Sequence, residues 1–497
     1  MKSHLGYFIF LLSLLFLPQI VDGQNIFSEK NFDHSKSFLP YDISYTFPLE
    51  DKEFVMLSEV KRSTMKFGRY DQYFFEKWEK EIEFGKDESV PQMFIKGDSV
   101  VTFCVTTNKD KNELRLSFRY FNLQDGTEYS PTNYAINVIV KDELIPQISF
   151  CENRSKFVVY NYLVNQDNTE KYEFSIFEMG NEKPEHQNYL SSESIISSKS
   201  RTVHLSDNGD LFLVLVEPGD FHTETYFWGI KSSQPASVDN NFFFERPVQN
   251  IGETIIVRQS PSSYMIAFSG LIEDELIGFN ITGINVVLKT VMFSYNQNFR
   301  KEEIDEIYGN YYYTSQNQKK KRLETPEILV NYRLIDSYTN SAHDIILAFE
   351  ELEIPVQYHE TAVSENMPWK YKSNEDKFYF AGDLLLYSFT ESGELKWRKS
   401  IQKTQFSQAN ALGLSYIPKM SGDTLRMLMY ESSRDGNFYI LDINTVDGIL
   451  RKTINLLPDE KFEFAKRYSC WLDDHAVILC GIAPANINKR TLMLVEF

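Results

Sequence analysis

The sequence predicts an all-β chain, and three observations carry that expectation. Short runs rich in Val, Leu, Phe and Tyr recur along it, turn dipeptides separate them, and no long amphipathic helix intervenes. Aromatic residues make up 15% of the 497, with 39 Phe and 29 Tyr, which suits strands, where large flat side chains pack on a pleated surface. Runs at 54–60, 100–105, 211–216, 383–389 and 476–480 are each five to seven residues long. Between such runs stand Asp125-Gly126, Asn208-Gly209, Ser392-Gly393, Asp435-Gly436 and Asp447-Gly448. Glycine accepts positive φ there, so a tight hairpin costs little.

The strands repeat. Leu385, Tyr439 and Met493 open equivalent strand–turn–strand units 54 residues apart, and the chain stops inside the last of them. A further copy lies at 114–126, and weaker ones at 172–177, 225–230 and 284–288. Near the start, Tyr73-Phe-Phe75 with 78–82 is read as another. Each unit carries an earlier hairpin, such as 202–205 with 211–216, so one unit makes a four-stranded antiparallel sheet. The expectation is a single seven- or eight-bladed β-propeller. The final unit lacks a fourth strand, so a strand from near the N-terminus is expected to close the ring. Two β-sandwiches or separate β domains are the competing arrangement.

Residues 1–23 read as a secretory signal: Lys2, an apolar run over 5–17, Pro18, and small Gly23 before Gln24. The run is shorter than the roughly 20 residues of a spanning helix, and nothing comparable follows, so no membrane span is expected in the mature chain. Residues 24–39 read as an N-terminal extension and 40–497 as the propeller, with polar insertions at about 298–325, where a short helix is possible, and 354–378. The chain is expected to be secreted or periplasmic, with no lipid-anchor cysteine at the mature N-terminus. A net charge of −19, from 51 basic and 70 acidic residues, argues against nucleic acid as a partner. Export permits disulfides. The candidates are Cys104, Cys151, Cys470 and Cys480, for which one bridge or four buried thiols remain equally open.

At 384–401 an apolar strand, Gly393 and, four residues on, Trp397 resemble a blade of quinoprotein-type (PQQ-like) propellers. The likeness is partial at 437–454. With the export signal, the 394–403 segment is also similar to extracytoplasmic bacterial β-propeller proteins of unassigned function. The resemblance implies that Trp397 packs on the next blade. It implies no cofactor, because the neighbouring-cysteine disulfide of the quinone dehydrogenases is absent.

A Gly-x-Ser-x-Gly elbow, a His-Glu-x-x-His helix and a phosphate-binding loop are all missing from the sequence. His204 reads as a sheet residue. The acidic turns 207–210 and 473–474 match hairpin chemistry better than a calcium loop, and Lys319 to Arg322 read as a solvated loop tip. The best-placed polar group is Tyr358, His359 and Glu360, with Trp369, in the 354–378 insertion. The favoured function is an exported, non-catalytic binding or scaffold module, its partner a protein or glycan at a propeller face. The alternative is a hydrolase or lyase acting on polysaccharide or peptide at the central channel.

Overall fold

Most connections inside a unit are short enough to be hairpins, and in seven of the eight sheets the four main strands lie antiparallel in chain order. The computed structural model describes residues 25–496 apart from 34–45, 62–63, 86–87, 109–112, 130–135, 140–146, 165–169, 180, 182, 193–199, 219–222, 231–239, 247–249, 261, 273–274, 286, 289, 309–328, 330, 354–378, 404, 408–414, 432–436, 457–462, 465 and 483–488. The signal segment and Lys319 to Arg322 therefore lie outside the described residues, as do Asp435-Gly436 and the four insertion residues Tyr358, His359, Glu360 and Trp369.

Eight sheets result, here called blades 1 to 8 in order. Blades 1 to 5 span 46–83, 88–139, 147–192, 200–246 and 250–298. Blade 6 comprises Tyr332–Thr339, Ile345–Glu353, Tyr379–Phe389 and Leu395–Ile401, and blade 7 Tyr416–Ser421, Thr424–Glu431, Asn437–Asn444 and Leu450–Leu456. Blade 8 comprises Cys470–Trp471, Ala476–Ile482 and Lys489–Glu496, and its outermost strand is Asn25–Asp33. That N-terminal strand pairs antiparallel with Lys489–Glu496 from Asn25 against Glu496 to Asp33 against Lys489. The expected closure is present, and the strand that makes it comes from the segment set apart as an extension.

The ring is continuous. One apolar cluster joins blades 8, 1 and 2 through Ile478, Leu57 and Cys104. Others join 2 to 3 through Phe118 and Phe157, 5 to 6 through Phe279 and Phe349, 6 to 7 through Leu386 and Met427, and 7 to 8 through Leu428 and Leu479. Blade 3 meets blade 4 where the Asn153 N–H donates to Asp207 Oδ1 at 3.0 Å, and blade 4 meets blade 5 where Phe212 and Tyr264 lie 4.5 Å apart. Many of the described aromatic side chains sit here, such as Phe118, Phe157, Phe279 and Phe349, because faces of neighbouring sheets need wide side chains to fill the space between them. His204 belongs to the same interface, 5.8 Å from the Tyr264 ring. Blades 8 and 1, 3 and 4, 4 and 5, and 5 and 6 touch first strand to first strand, which sets those strands on the inner side of the ring.

Leu385, Tyr439 and Met493 occupy equivalent places, each in a third strand opposite Phe349, Met429 and Leu479 of the second. The implied tryptophan contact is also present, twice. Trp397 donates its indole N–H to the Thr445 carbonyl of blade 7 at 2.9 Å, and a Cβ on Gly448 (φ +70°) would stand 2.8 Å from its ring. Trp78 of blade 1 repeats this on blade 2, with the Leu123 carbonyl at 2.9 Å and Gly126 under the ring. Glycine at those turns supplies both the positive φ and the space for an indole.

Two details differ from expectation. Tyr73 to Phe75 are not strand but the turn between Thr64–Tyr70 and Glu76–Glu83, with Phe74 at φ +65°. The third strand of blade 1 instead carries Lys66, Gly68 and Arg69, whose charges pair with Glu79 and Glu53 and mask the alternation. The third strand of blade 5 ends at Asn285, leaving Leu288 in the turn. The insertion after blade 5 does contain a short helix, Lys301–Tyr308, which seats Ile304 and Ile307 between blades 5 and 6. All four cysteines are free and buried, and burial pushes the Cys470 thiol up to about 12, so it stays protonated and inert. Of the two glycosylation sequons, Asn153 is exposed, whereas Asn280 is buried in its sheet.

Candidate functional site

The 354–378 insertion leaves blade 6 between its second and third strands, so the described residues flanking it form the base of the expected site. The ladder between those strands shifts register between Glu350 and Leu352. Such a bulge re-aims side chains, and here two acids that interrupt apolar runs, Glu350 and Asp383, are both buried. Lys403, just beyond the fourth strand, places its Nζ 2.5 Å from Glu350 Oε1, with the two side chains 0% and 1% exposed. The other Glu350 oxygen accepts the Ser415 hydroxyl at 2.7 Å.

Gln405 completes the arrangement. Its Oε1 accepts from the Ser415 N–H and from Lys403 Nζ, and its Nε2 donates to the carbonyls of Ser415 and Tyr430. Every hydrogen-bonding direction of a buried amide is thus used, which is the condition under which a buried polar network stabilises. The knot ties both ends of the 402–415 connection, and through Glu350 and Asp383 both roots of the insertion, to blades 6 and 7.

On the inner side, Tyr338 donates to Asp336 Oδ2 at 2.8 Å and shares a hydrogen bond of 2.7 Å with the Tyr416 hydroxyl. Burial pushes both phenols well above the usual tyrosine range, so both stay neutral. Lys466, half-buried ahead of blade 8, lies 5.8 Å over the Tyr416 ring. Burial holds its ammonium below the usual lysine range, against the attraction of Glu350 and Asp336.

Asp383 is the titrating member. The backbone N–H of Lys403 donates to its Oδ1 at 3.1 Å, while Oδ2 has no hydrogen-bond partner. Burial pushes the carboxyl up to about 6, against the opposing pull of the Lys403 backbone and charge. An unfolded aspartate titrates near 3.9, so between about pH 4 and pH 6 the folded chain binds the extra proton. Stability from this group is therefore highest at low pH and falls as pH rises through about 6, by up to about 3 kcal/mol. Asp383→Asn should melt above the parent at pH 7, with the difference closing by about pH 4. Parallel melting curves for the two across that range contradict the assignment.

Chemically, the Glu350 carboxylate is occupied on both oxygens and closed to solvent, so it neither attacks nor protonates a substrate. Among the described residues no group of three His, Cys, Asp or Glu side chains could hold a metal ion. No helix there is long and apolar enough to cross a membrane. The acidic turn 206–210 is held by its own bonds, Gly209 N–H to the Ser206 carbonyl and Asp210 N–H to Ser206 Oγ. Sequence reasoning missed the knot between the strands on either side of 354–378. The available signal was acidic residues inside apolar runs, Glu350 after 345–349 and Asp383 before 384–386.

No family description matches the chain, and no curated protein matches it. Among solved structures it is similar to a europium-containing methanol dehydrogenase (7% identity, TM-score 0.39, 97% of this chain and 95% of that one). It is also similar to the WD40 domain of SCAP from fission yeast (9%, TM-score 0.35, 94% and 98%). A third is the polysaccharide lyase Uly1 (9%, TM-score 0.33, 81% and 89%). The reactions and ligands of those proteins remain theirs.

Proposed function

We propose that the chain is an exported, non-catalytic propeller that serves as a binding or scaffold module in a secreted or periplasmic setting. A protein or glycan ligand would meet the insertion end of blade 6, with contacts from Tyr358, His359, Glu360 and Trp369. The observation that carries this reading is the Lys403–Glu350 pair. Lys403 and Glu350, on the strands and connection that flank the insertion, are spent on one another out of reach of solvent, which suits a rigid base for a recognition loop. A catalytic pair of carboxylates has to stay open to substrate, roughly 5–9 Å apart.

Purified residues 24–497 screened on glycan and peptide arrays test the reading, followed by hydrolysis and elimination assays on every hit. Binding without turnover, weakened at least tenfold by Tyr358→Ala with Trp369→Ala, is expected. Turnover of a bound glycan or peptide overturns it.

A further inference from the structure

In a propeller of in-order sheets, the turns joining third to fourth strands all emerge at one end, opposite to the insertion that joins the second and third strands of blade 6. Every large apolar side chain that is exposed among the described residues lies at one of those turns or within three residues of it. Scatter would distribute such residues over both ends, because isolated surface hydrophobics are ordinary. Seven of them form an arc over blades 5, 6 and 7: Val287, Leu288, Val291 and Met292, then Leu395, then Val446 and Ile449.

Contacts between the blades make the arc continuous. Phe293, next to Met292, lies where a Cβ on Gly393 of the blade 6 turn would stand 2.2 Å from its ring, and Trp397 covers Gly448 of the blade 7 turn. The apolar residues are not needed to make the blade 5 turn. Asn285 Oδ1 accepts the N–H groups of both Val287 and Leu288, at 3.0 and 2.8 Å, so polar side chains would serve at those positions. At 59% and 69% exposed, Val287 and Leu288 stand where the corresponding blade 6 turn has Glu391 and Ser392.

Among the described residues of the three turns themselves, 287–288, 390–394 and 445–449, every charged side chain is acidic. Glu391, Glu394 and Asp447 are exposed, and among the described residues none of them is in an ion pair. Two cations on the fourth strand of blade 6 are taken: Lys396 pairs with Asp344 at 2.6 Å, and Arg398 pairs with Glu303 of the short helix. An anionic lipid surface would be repelled by such a rim. A segment with apolar anchors and Lys or Arg beside them would meet both features.

The geometry points to a docking surface on this arc for a cationic amphipathic segment of another protein, with Leu288, Val291 and Ile449 receiving its apolar side chains and Glu391, Glu394 and Asp447 its cations. The surface lies at the end of the ring opposite the insertion and stands whether that insertion binds a ligand or not.

The test uses purified residues 24–497 and a fluorescein-labelled helical peptide of Leu and Lys, with Leu on one face. The controls are a peptide of equal charge with Ser in place of Leu, and anionic phospholipid vesicles. Saturable one-to-one binding of the Leu–Lys peptide is expected. Leu288→Ser with Val291→Thr should weaken it about tenfold, as expected for loss of central apolar anchors, without lowering the melting temperature. Glu391→Gln, Glu394→Gln and Asp447→Asn together should weaken it similarly. Asp98→Asn, Asp125→Asn and Glu152→Gln, on blades 2 and 3, should not. Equal binding of the Ser–Lys peptide, equal loss with both acid triples, or absence of saturable binding overturns the proposal. So does vesicle binding that depends on Leu288 and Val291.

Discussion

Replacing Glu29 and Lys30 together by proline should destabilise the chain by about 3 kcal/mol or more, read as a lower urea midpoint. Among the described residues the strand Asn25–Asp33 is bonded on one side only, to Lys489–Glu496. A single proline on such an outer strand can hide its missing N–H toward solvent. Two adjacent residues cannot, because one of the two N–H groups faces the partner. The effect should also spread, since in a closed ring the face between first and last blades is covered only while the closing sheet is complete. Residues of blades 1 and 8 in the shared cluster, such as Leu57 and Ile478, should gain amide exchange before those of blades 4 and 5. An unchanged midpoint would mean that the N-terminal strand is dispensable.

Lys403→Met should cost about 3–5 kcal/mol, the usual consequence of stripping the cation from a buried carboxylate. Glu350 would keep its hydrogen bond from Ser415 but lose the only ammonium within ion-pair distance of it among the described residues. Adding Glu350→Gln should recover most of the stability, since a neutral amide can still accept from Ser415. Equal urea midpoints for Lys403→Met and the parent, or no recovery in the double variant, would show that the pair contributes packing alone.

The parts of the fold legible in the sequence were those with a period. Leu385, Tyr439 and Met493 announce the unit because a third strand is buried on both faces and must be apolar. Gly448 and Trp397 announce the outer hairpin because only glycine fits under an indole at positive φ, and Gly393, also at positive φ, lies against the Phe293 ring. Blade 1 broke the pattern: in Thr64–Tyr70 two charges, Lys66 and Arg69, interrupt the apolar run and find partners in Glu79 and Glu53, so the neighbouring aromatic turn looked more like a strand than the strand did. The knot of Glu350, Asp383, Lys403 and Gln405 has no period at all. Its members come from two strands of blade 6 and the segment after its fourth strand, where Gln405 pairs with Ala381, and the ladder between those two strands is bulged. The expected ligand residues lie outside the described chain, so for them the sequence remains the guide.

Closure of the ring is most directly tested by a cross-link. Asn31 and Thr491 are paired across the outermost ladder, and paired Cα atoms in an antiparallel sheet lie roughly 4.5–5.5 Å apart, within reach of a disulfide. With Asn31→Cys and Thr491→Cys, mild oxidation of the native protein should produce an intramolecular bond in nearly every molecule, while the four native thiols stay buried and reduced. Failure to join, or joining only between molecules, would mean that the two ends of the chain do not share a blade and that the sheets do not form a closed circle.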